Sequence, residues 1–186
     1  NTINVSGGTL NIAGATASNL TALTVSGGTL TGTGNITVSG GNTFDFTGGT
    51  VTGGLTLTTA ATSTTNFNST ANLGASTTWN NYGEVIWGHF TGNDSSLNGT
   101  FNNQSGGVFR NVSINTTSDT LQGTGSFNNL AGAEYRQTLA GTVIMAPAFS
   151  NAGTVNAQAG TTQFNGTGTD SGNYAVSSGA TLSFAN

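Results

Sequence analysis

One motif returns four times along this chain with its internal spacing kept: an aromatic residue, a polar pair ending in Asn, a nearby Gly and usually a second aromatic. It reads WNNYGEVIW at 79–87, FNNQSGGVF at 101–109, FNNLAGAEY at 127–135 and FSNAGTVNA at 149–157, with starts 22, 26 and 22 residues apart. Self-similarity at about 20 to 30 residues without helix formers is the signature of a coiled β-solenoid, in which each turn buries its face on the next. A chain of 186 residues holds one sizeable core, which a solenoid draws out along an axis. The expectation is a single elongated domain over 1–186, or one module of a longer repetitive chain.

The rest of the sequence agrees with strands. Apolar residues alternate at Ile3 and Val5, Leu10 and Ile12, Phe44 and Phe46, Leu55 and Leu57, Val85 and Trp87, Tyr174 and Val176, and Leu182 and Phe184, the period of a strand with one face buried. Small-residue turns separate them in VSGGTLNI (5–12), VSGGTLTG (25–32), FTGGTVTG (46–53) and VSSGATLSF (176–184), where Gly accepts a positive φ without a Cβ penalty. The anchors give an all-β parallel β-helix of about nine turns, a rod on the order of 43 Å long at ~4.8 Å per turn. Two interruptions, 88–98 and 115–121, are expected as turns or loops bulging from the rod, and Pro147 belongs at a strand start or corner.

Charge narrows the function classes. Nine side chains carry or titrate charge, Lys is absent, and the formal net charge is −4. Binding to a phosphate backbone depends on Lys and Arg, so nucleic acid is disfavoured, and anionic lipid with it. No apolar run of about 18 residues exists to cross a bilayer as a helix, so no membrane insertion is expected. The chain opens at Asn1 without an initiator Met or a leader, which reads as a processed form or an excerpt. With no Cys, disulfides and thiolate metal sites are excluded.

Asn81, Asn103, Asn129 and Asn151 share one register and are expected to stack as a structural amide ladder. Trp79, Phe101, Phe127 and Phe149 share another, which suits a buried aromatic column. One stretch unites acid, base and sugar-stacking residue types: Trp79, Tyr82, Glu84, Trp87, His89 and Asp94. Paired carboxylates beside aromatics are the chemistry of glycoside cleavage, against which stands the plainer reading of solvent-facing loop residues. Arg110 and Arg136 each follow the second aromatic of a repeat and are expected on one outward strip, with Glu134 and Asp119 as partners. GGNTFDF (40–46) resembles a calcium-binding nonapeptide but lacks its third Gly, and no neighbouring repeat carries the Asp. No GxSxG, Walker, HExxH or Cys/His pattern occurs, so no catalytic residue, cofactor or metal is assigned.

The series VSGGTL, FNNLAGAEY, FSNAGTVNAQAGTTQF and SGNYAVSSGATLSF resembles the repetitive passenger regions of large secreted bacterial surface proteins, of the autotransporter and filamentous-haemagglutinin type. The resemblance covers nearly the whole chain, most clearly 101–184. It implies a right-handed parallel β-helix, export to the cell surface or medium, and work as a stalk, adhesin or fibre, as in a biofilm matrix. The resulting expectation is an extracellular structural or adhesive solenoid, not an enzyme. Both termini read as bare strand pattern, so self-association head to tail is expected, with a carbohydrate or a host or cell surface as a further partner. Two alternatives stand beside it. One is a polysaccharide-binding or polysaccharide-cleaving β-helix with Glu84, His89 and Asp94 converging in a cleft. The other is an ice- or crystal-binding Thr face, suggested by LTLTTAATSTT (55–65), although Thr-x-Thr is not kept in every repeat.

Overall fold

A computed structural model describes residues 1–14, 18–67, 70–88, 95–113 and 118–185. Among them there is no helix, and the strands pair in parallel. Most strands are four residues long and alternate half-buried with buried positions, as in Thr78–Asn81, Glu84–Trp87, Thr100–Asn103, Glu134–Gln137 and Thr154–Ala157. Each is too short to bury a core by itself, so the apolar face is covered by the turns above and below.

Three strand columns run along the axis. The first face stacks Thr2–Val5, residues 22–25 and 43–46, Thr64–Phe67, Glu84–Trp87, Val108–Asn111, Glu134–Gln137, Thr154–Ala157 and Asn173–Val176. These nine rungs enclose about eight turns, one fewer than the sequence anchors suggest, and span ~38 Å at the usual inter-strand spacing. The second face runs from Thr9–Ile12 to Thr181–Phe184. The third runs from residues 18–20 through Thr56–Thr59, Thr78–Asn81, Thr100–Asn103 and Ser126–Asn129 to Ala148–Asn151, closing on a bridge between Asn151 and Asp170.

The widest steps of the first face are 24 residues, Glu84 to Val108, and 26 residues, Val108 to Glu134. They contain the two expected interruptions. Neither runs its full expected length, because Ser96–Leu97 and Asp119–Leu121 are already strands in register with their neighbours. Pro147 sits at the corner before Ala148–Asn151.

Rings fill the lumen. Trp79 meets Phe101 at 4.9 Å between centroids, Phe101 meets Phe127 at 4.7 Å and Phe127 meets Phe149 at 5.3 Å. A second file, Trp87, Phe109 and Tyr135, runs beside it at 6.1 and 5.8 Å and is tied across by Phe109–Phe127 at 4.9 Å. Such contacts are worth ~0.5–1.5 kcal/mol each beyond the area they bury. Identical register delivers the first file in series, whereas Trp87 reaches Phe109 from the neighbouring inward position.

After Thr21, which alone joins residues 18–20 to 22–25, corners between the third and first faces come in two lengths. Residues 39–42, 60–63, 104–107 and 130–133 make four-residue corners, whereas 82–83, 152–153 and 171–172 make two-residue ones. In the long corners the third residue is left-handed: Gly41 at φ 74°, Thr62 at 65°, Gly106 at 83° and Gly132 at 81°. At Gly41 and Gly106 an added Cβ would meet nothing within 4 Å, so backbone conformation rather than space selects Gly there. Thr62 adopts that conformation with a β-branched side chain, at a cost of ~1–2 kcal/mol. Replacing Thr62 by Gly is expected to stabilise the fold by about 0.5–1 kcal/mol, part of the relief being offset by the freer unfolded chain. Denaturant midpoints check this, and a lower midpoint for Thr62→Gly would show that the corner is not strained.

Candidate functional site

At the corner between the third and first faces, Asn81, Asn103, Asn129 and Asn151 lie one above another and are buried. Nδ2 of Asn81 donates to Oδ1 of Asn103 at 2.9 Å, Asn103 to Asn129 at 3.0 Å, and Asn129 to Asn151 at 2.9 Å. The same nitrogens also donate to main-chain oxygens: Gly83 at 3.0 Å, Glu134 at 2.9 Å and Thr154 at 3.0 Å, in that order. Thr59 opens the series, its hydroxyl donating to Asn81 Oδ1 at 2.8 Å and accepting from Trp79 Nε1 at 3.1 Å.

The Gly of the motif has a second task. Gly83, Gly107 and Gly153 precede first-face strands and lie against the ladder. A Cβ on Gly107 would stand 2.7 Å from Asn103 Oδ1, and one on Gly153 would stand 2.9 Å from Asn129 Nδ2. Turn conformation explains Gly106 and Gly132. Close main-chain approach explains Gly107 and Gly153 first, since a Cβ would stand 2.5 Å from Asn81 O and 2.4 Å from Ala133 O, and the stacked amides crowd the same space.

A second ladder lies outside the first, and the sequence reading passed over it. Asn102 donates to Asn80 and Asn128 donates to Asn102, both at 2.9 Å. These bonds run toward the N-terminal end, whereas the inner amides donate toward the C-terminal end. The signal was the doubled Asn in WNN and FNN. One Asn of each pair points in and its neighbour points out, as strand alternation requires.

Arg110 and Arg136 stand at one register on adjacent rungs of the first face, the strip their repeats implied. Their partners differ in part from expectation. Arg110 Nε donates to Glu84 Oε1 at 2.7 Å, and Arg136 holds Glu134 through two nitrogens, Nε at 2.9 Å and Nη2. Asp119 is not in the strip, because its strand places it buried on the second face opposite Val143. Arg136 keeps the Glu134 carboxyl below the ordinary carboxylate range, helped by Asn156 Nδ2 at 3.0 Å and opposed by burial.

The sugar-stacking cluster is divided by the same geometry. Trp79 and Trp87 are wholly buried in the aromatic files and present no ring to solvent. Tyr82 is 41% exposed, and Glu84 is the ion-pair partner of Arg110 on a strand rather than in a loop. His89 and Asp94 lie outside the described residues. Glu84 and Glu134 occupy one row two rungs apart, ~9.6 Å by strand spacing, near the upper limit for an inverting glycosidase pair. A general acid there requires a raised pKa, and Arg136 moves Glu134 the other way.

Concavities among the described residues include three on the rod. A notch beside Tyr82 is bounded by Thr62, Thr64, Glu84 and Val108. A step at Leu130 and Ala152 lies where a long corner meets a short one. In the last turn, Phe149, Phe164, Tyr174 and Phe184 surround a hollow where the aromatic column gives way to Gly168. Burial and the neighbouring Asp170 push the Tyr174 phenol up to about 12. Among the described residues no group of three His, Asp or Glu could hold a metal ion. Asp45 points outward and accepts from Asn66 Nδ2 at 2.6 Å.

Asn129→Leu is expected to cost about 1–3 kcal/mol, because Asn103 Nδ2 loses one of its two acceptors and Asn151 Oδ1 one of its two donors in a buried corner. Glu84→Gln weakens only a half-exposed ion pair and is expected to change stability by about 1 kcal/mol or less. Chemical denaturation of both variants checks the contrast, and equal midpoints for Asn129→Leu and the parent would remove the ladder as a source of stability.

No family model matches the chain, and comparison with curated proteins and with solved structures likewise gives no match.

Proposed function

We propose that this chain is an extracellular structural and adhesive β-solenoid that builds a stalk or fibre by joining turn to turn. The observation that carries the reading is the state of the end rungs. Among the described residues, Thr2–Val5 pairs only with residues 22–25, Asn173–Val176 only with Thr154–Ala157, and Thr181–Phe184 only with Thr161–Phe164. Val176 is 50% and Phe184 53% exposed, although Ala157 and Phe164 at the same registers one turn earlier are buried. At the other end Leu10 is 37% exposed and Leu30, its register partner, is buried.

Natural edges are blunted by charge or covered by another element. None of these end strands carries a charged residue. A further turn, from a flanking part of the same chain or from a second copy, would bury those side chains and pair the open backbone. Joined copies make a heterologous contact that does not close, which yields a filament. Secretion and a surface target rest on the resemblance to bacterial passenger regions, and the low charge supports a neutral partner over nucleic acid.

For the 186-residue chain, sedimentation and electron microscopy are expected to show rods that lengthen with concentration. The double variant Val176→Lys, Phe184→Lys is expected to return single rods. Single rods from the parent at every concentration would retire the fibre reading.

The third face favours a second reading. Its outward residues form two rows in register: Asn35, Thr56, Thr78, Thr100, Ser126 and Ala148, beside Thr37, Thr58, Asn80, Asn102, Asn128 and Ser150. Strict Thr-x-Thr is not kept, but an uncharged lattice of hydroxyls and amides is, spaced ~4.8 Å along the axis and ~6.8 Å across it. Such a face suits ice or another crystalline surface. Thr100→Lys, placed at its centre, is expected to abolish any inhibition of ice recrystallisation shown by the parent. An inactive parent, or an undiminished Thr100→Lys variant, would eliminate this alternative.

A further inference from the structure

The corner after each inner-ladder position is occupied by Ala60, Tyr82, Gln104, Leu130, Ala152 and Ser171, one per turn, each donating its amide N–H to the carbonyl of the ladder position one turn earlier. Tyr82 is the one aromatic in that series. It lies in the two-residue corner 82–83, between the four-residue corners 60–63 and 104–107. Two protruding corners ~9.6 Å apart therefore flank a recessed one, and the notch between them has Tyr82 in it.

The polar groups of this notch are held in place. Glu84 follows the short corner directly, and Arg110 Nε holds its Oε1 at 2.7 Å from the next rung. Thr62 and Thr64 form one wall and Val108 part of the other. An exposed phenol ring beside a paired carboxylate and guanidinium, with hydroxyls opposite, presents an apolar surface and fixed donors and acceptors together. That is the composition of a small-molecule subsite.

We propose that this notch is a binding subsite for one pyranose ring of a neutral polysaccharide, with Tyr82 as stacking platform and the Glu84–Arg110 pair as hydroxyl anchor. A β-linked pyranose with equatorial hydroxyls has C–H faces that lie on an aromatic ring and a hydroxyl rim that both donates and accepts. The carboxylate supplies the acceptors and the guanidinium the donors for that rim. Charge selects against other ligands. Glu84 is neutralised by Arg110, so a cation gains little. Both arginines of the chain are engaged by carboxylates, so a phosphate would have to displace Glu84. The polar walls suit a sugar better than a lipid chain. The subsite requires neither Trp79 nor Trp87, and it is independent of whether copies join end to end.

The test uses the whole chain with cellohexaose as probe, followed through the Tyr82 ring resonances and by calorimetry. Saturable shifts of Tyr82, with the buried Tyr135 unmoved, are expected. Tyr82→Phe keeps the stacking face and is expected to bind within about threefold of the parent, whereas Tyr82→Ala is expected to lose about tenfold or more. Glu84→Gln is expected to weaken binding while Tyr82 still shifts. Because residue 82 is at an exposed corner, the Phe and Ala variants are expected to melt with the parent. Unshifted Tyr82 resonances, or equal affinity in Tyr82→Ala and the parent, would overturn the proposal.

Discussion

Parallel stacking in strict register is the constraint on which the rest depends. Every inward side chain meets its counterpart from the next turn at ~4.8 Å, so each lumen residue must pack against or bond with the residue at its register in the neighbouring turns, which in the aromatic and Asn columns is its own kind. Flat rings satisfy that condition, as the run from Trp79 to Phe149 shows. Asn satisfies it too, because one amide carries both donor and acceptor. A stacked column of one charge does not. The ion pairs of the rod accordingly lie on its surface, where Glu84 and Glu134 neutralise the adjacent Arg110 and Arg136.

The ladder also lets the exterior vary while the interior repeats. In the short corners the Asn side chain accepts from the N–H two residues on, at Gly83 and Gly153, an Asx turn. In the long corners its amide nitrogen reaches instead to Glu134 or Thr154 at the start of a strand in the next turn. One residue type thus closes corners of two lengths without moving the strands. The notch at Tyr82 and the step at Leu130 lie where corner length changes and are consequences of that freedom.

The residues legible in the sequence are those that the register forces to repeat. The four aromatics and four asparagines could be aligned because stacking demands likeness at each level. What escaped was the lateral arrangement of the three columns. Trp87 carried two readings, an alternating strand position and a sugar-stacking candidate, because its column continues as Asn111, Gln137 and Ala157, three residues without the look of a series. The Glu84–Arg110 pair spans a 24-residue step, longer than the period, so nearby Glu134 and Asp119 seemed the natural partners. The third-face rows were hidden because Ser and Asn replace Thr there while keeping its polarity. Outward positions need not repeat, and sequence comparison along the chain is weakest where function would be carried.

Both internal devices stop in the same rung. Asp170 occupies the ladder register opposite Asn151, but Asn151 Nδ2 makes no hydrogen bond to it, so the relay of amides ends at Asn151. Two residues before Asp170 the aromatic column ends at Gly168, leaving the hollow beside Tyr174 and Phe184. The last turn is therefore held by the backbone pairing of Asn173–Val176 and Thr181–Phe184 and by the contacts of Phe184 with Phe164 at 5.6 Å and with Tyr174 at 5.4 Å. With fewer side-chain constraints it opens more readily than the turns between Trp79 and Phe149. A joint formed on this rung would be specified by open backbone and exposed apolar surface rather than by a matching ladder, and it would accept any parallel turn of similar width.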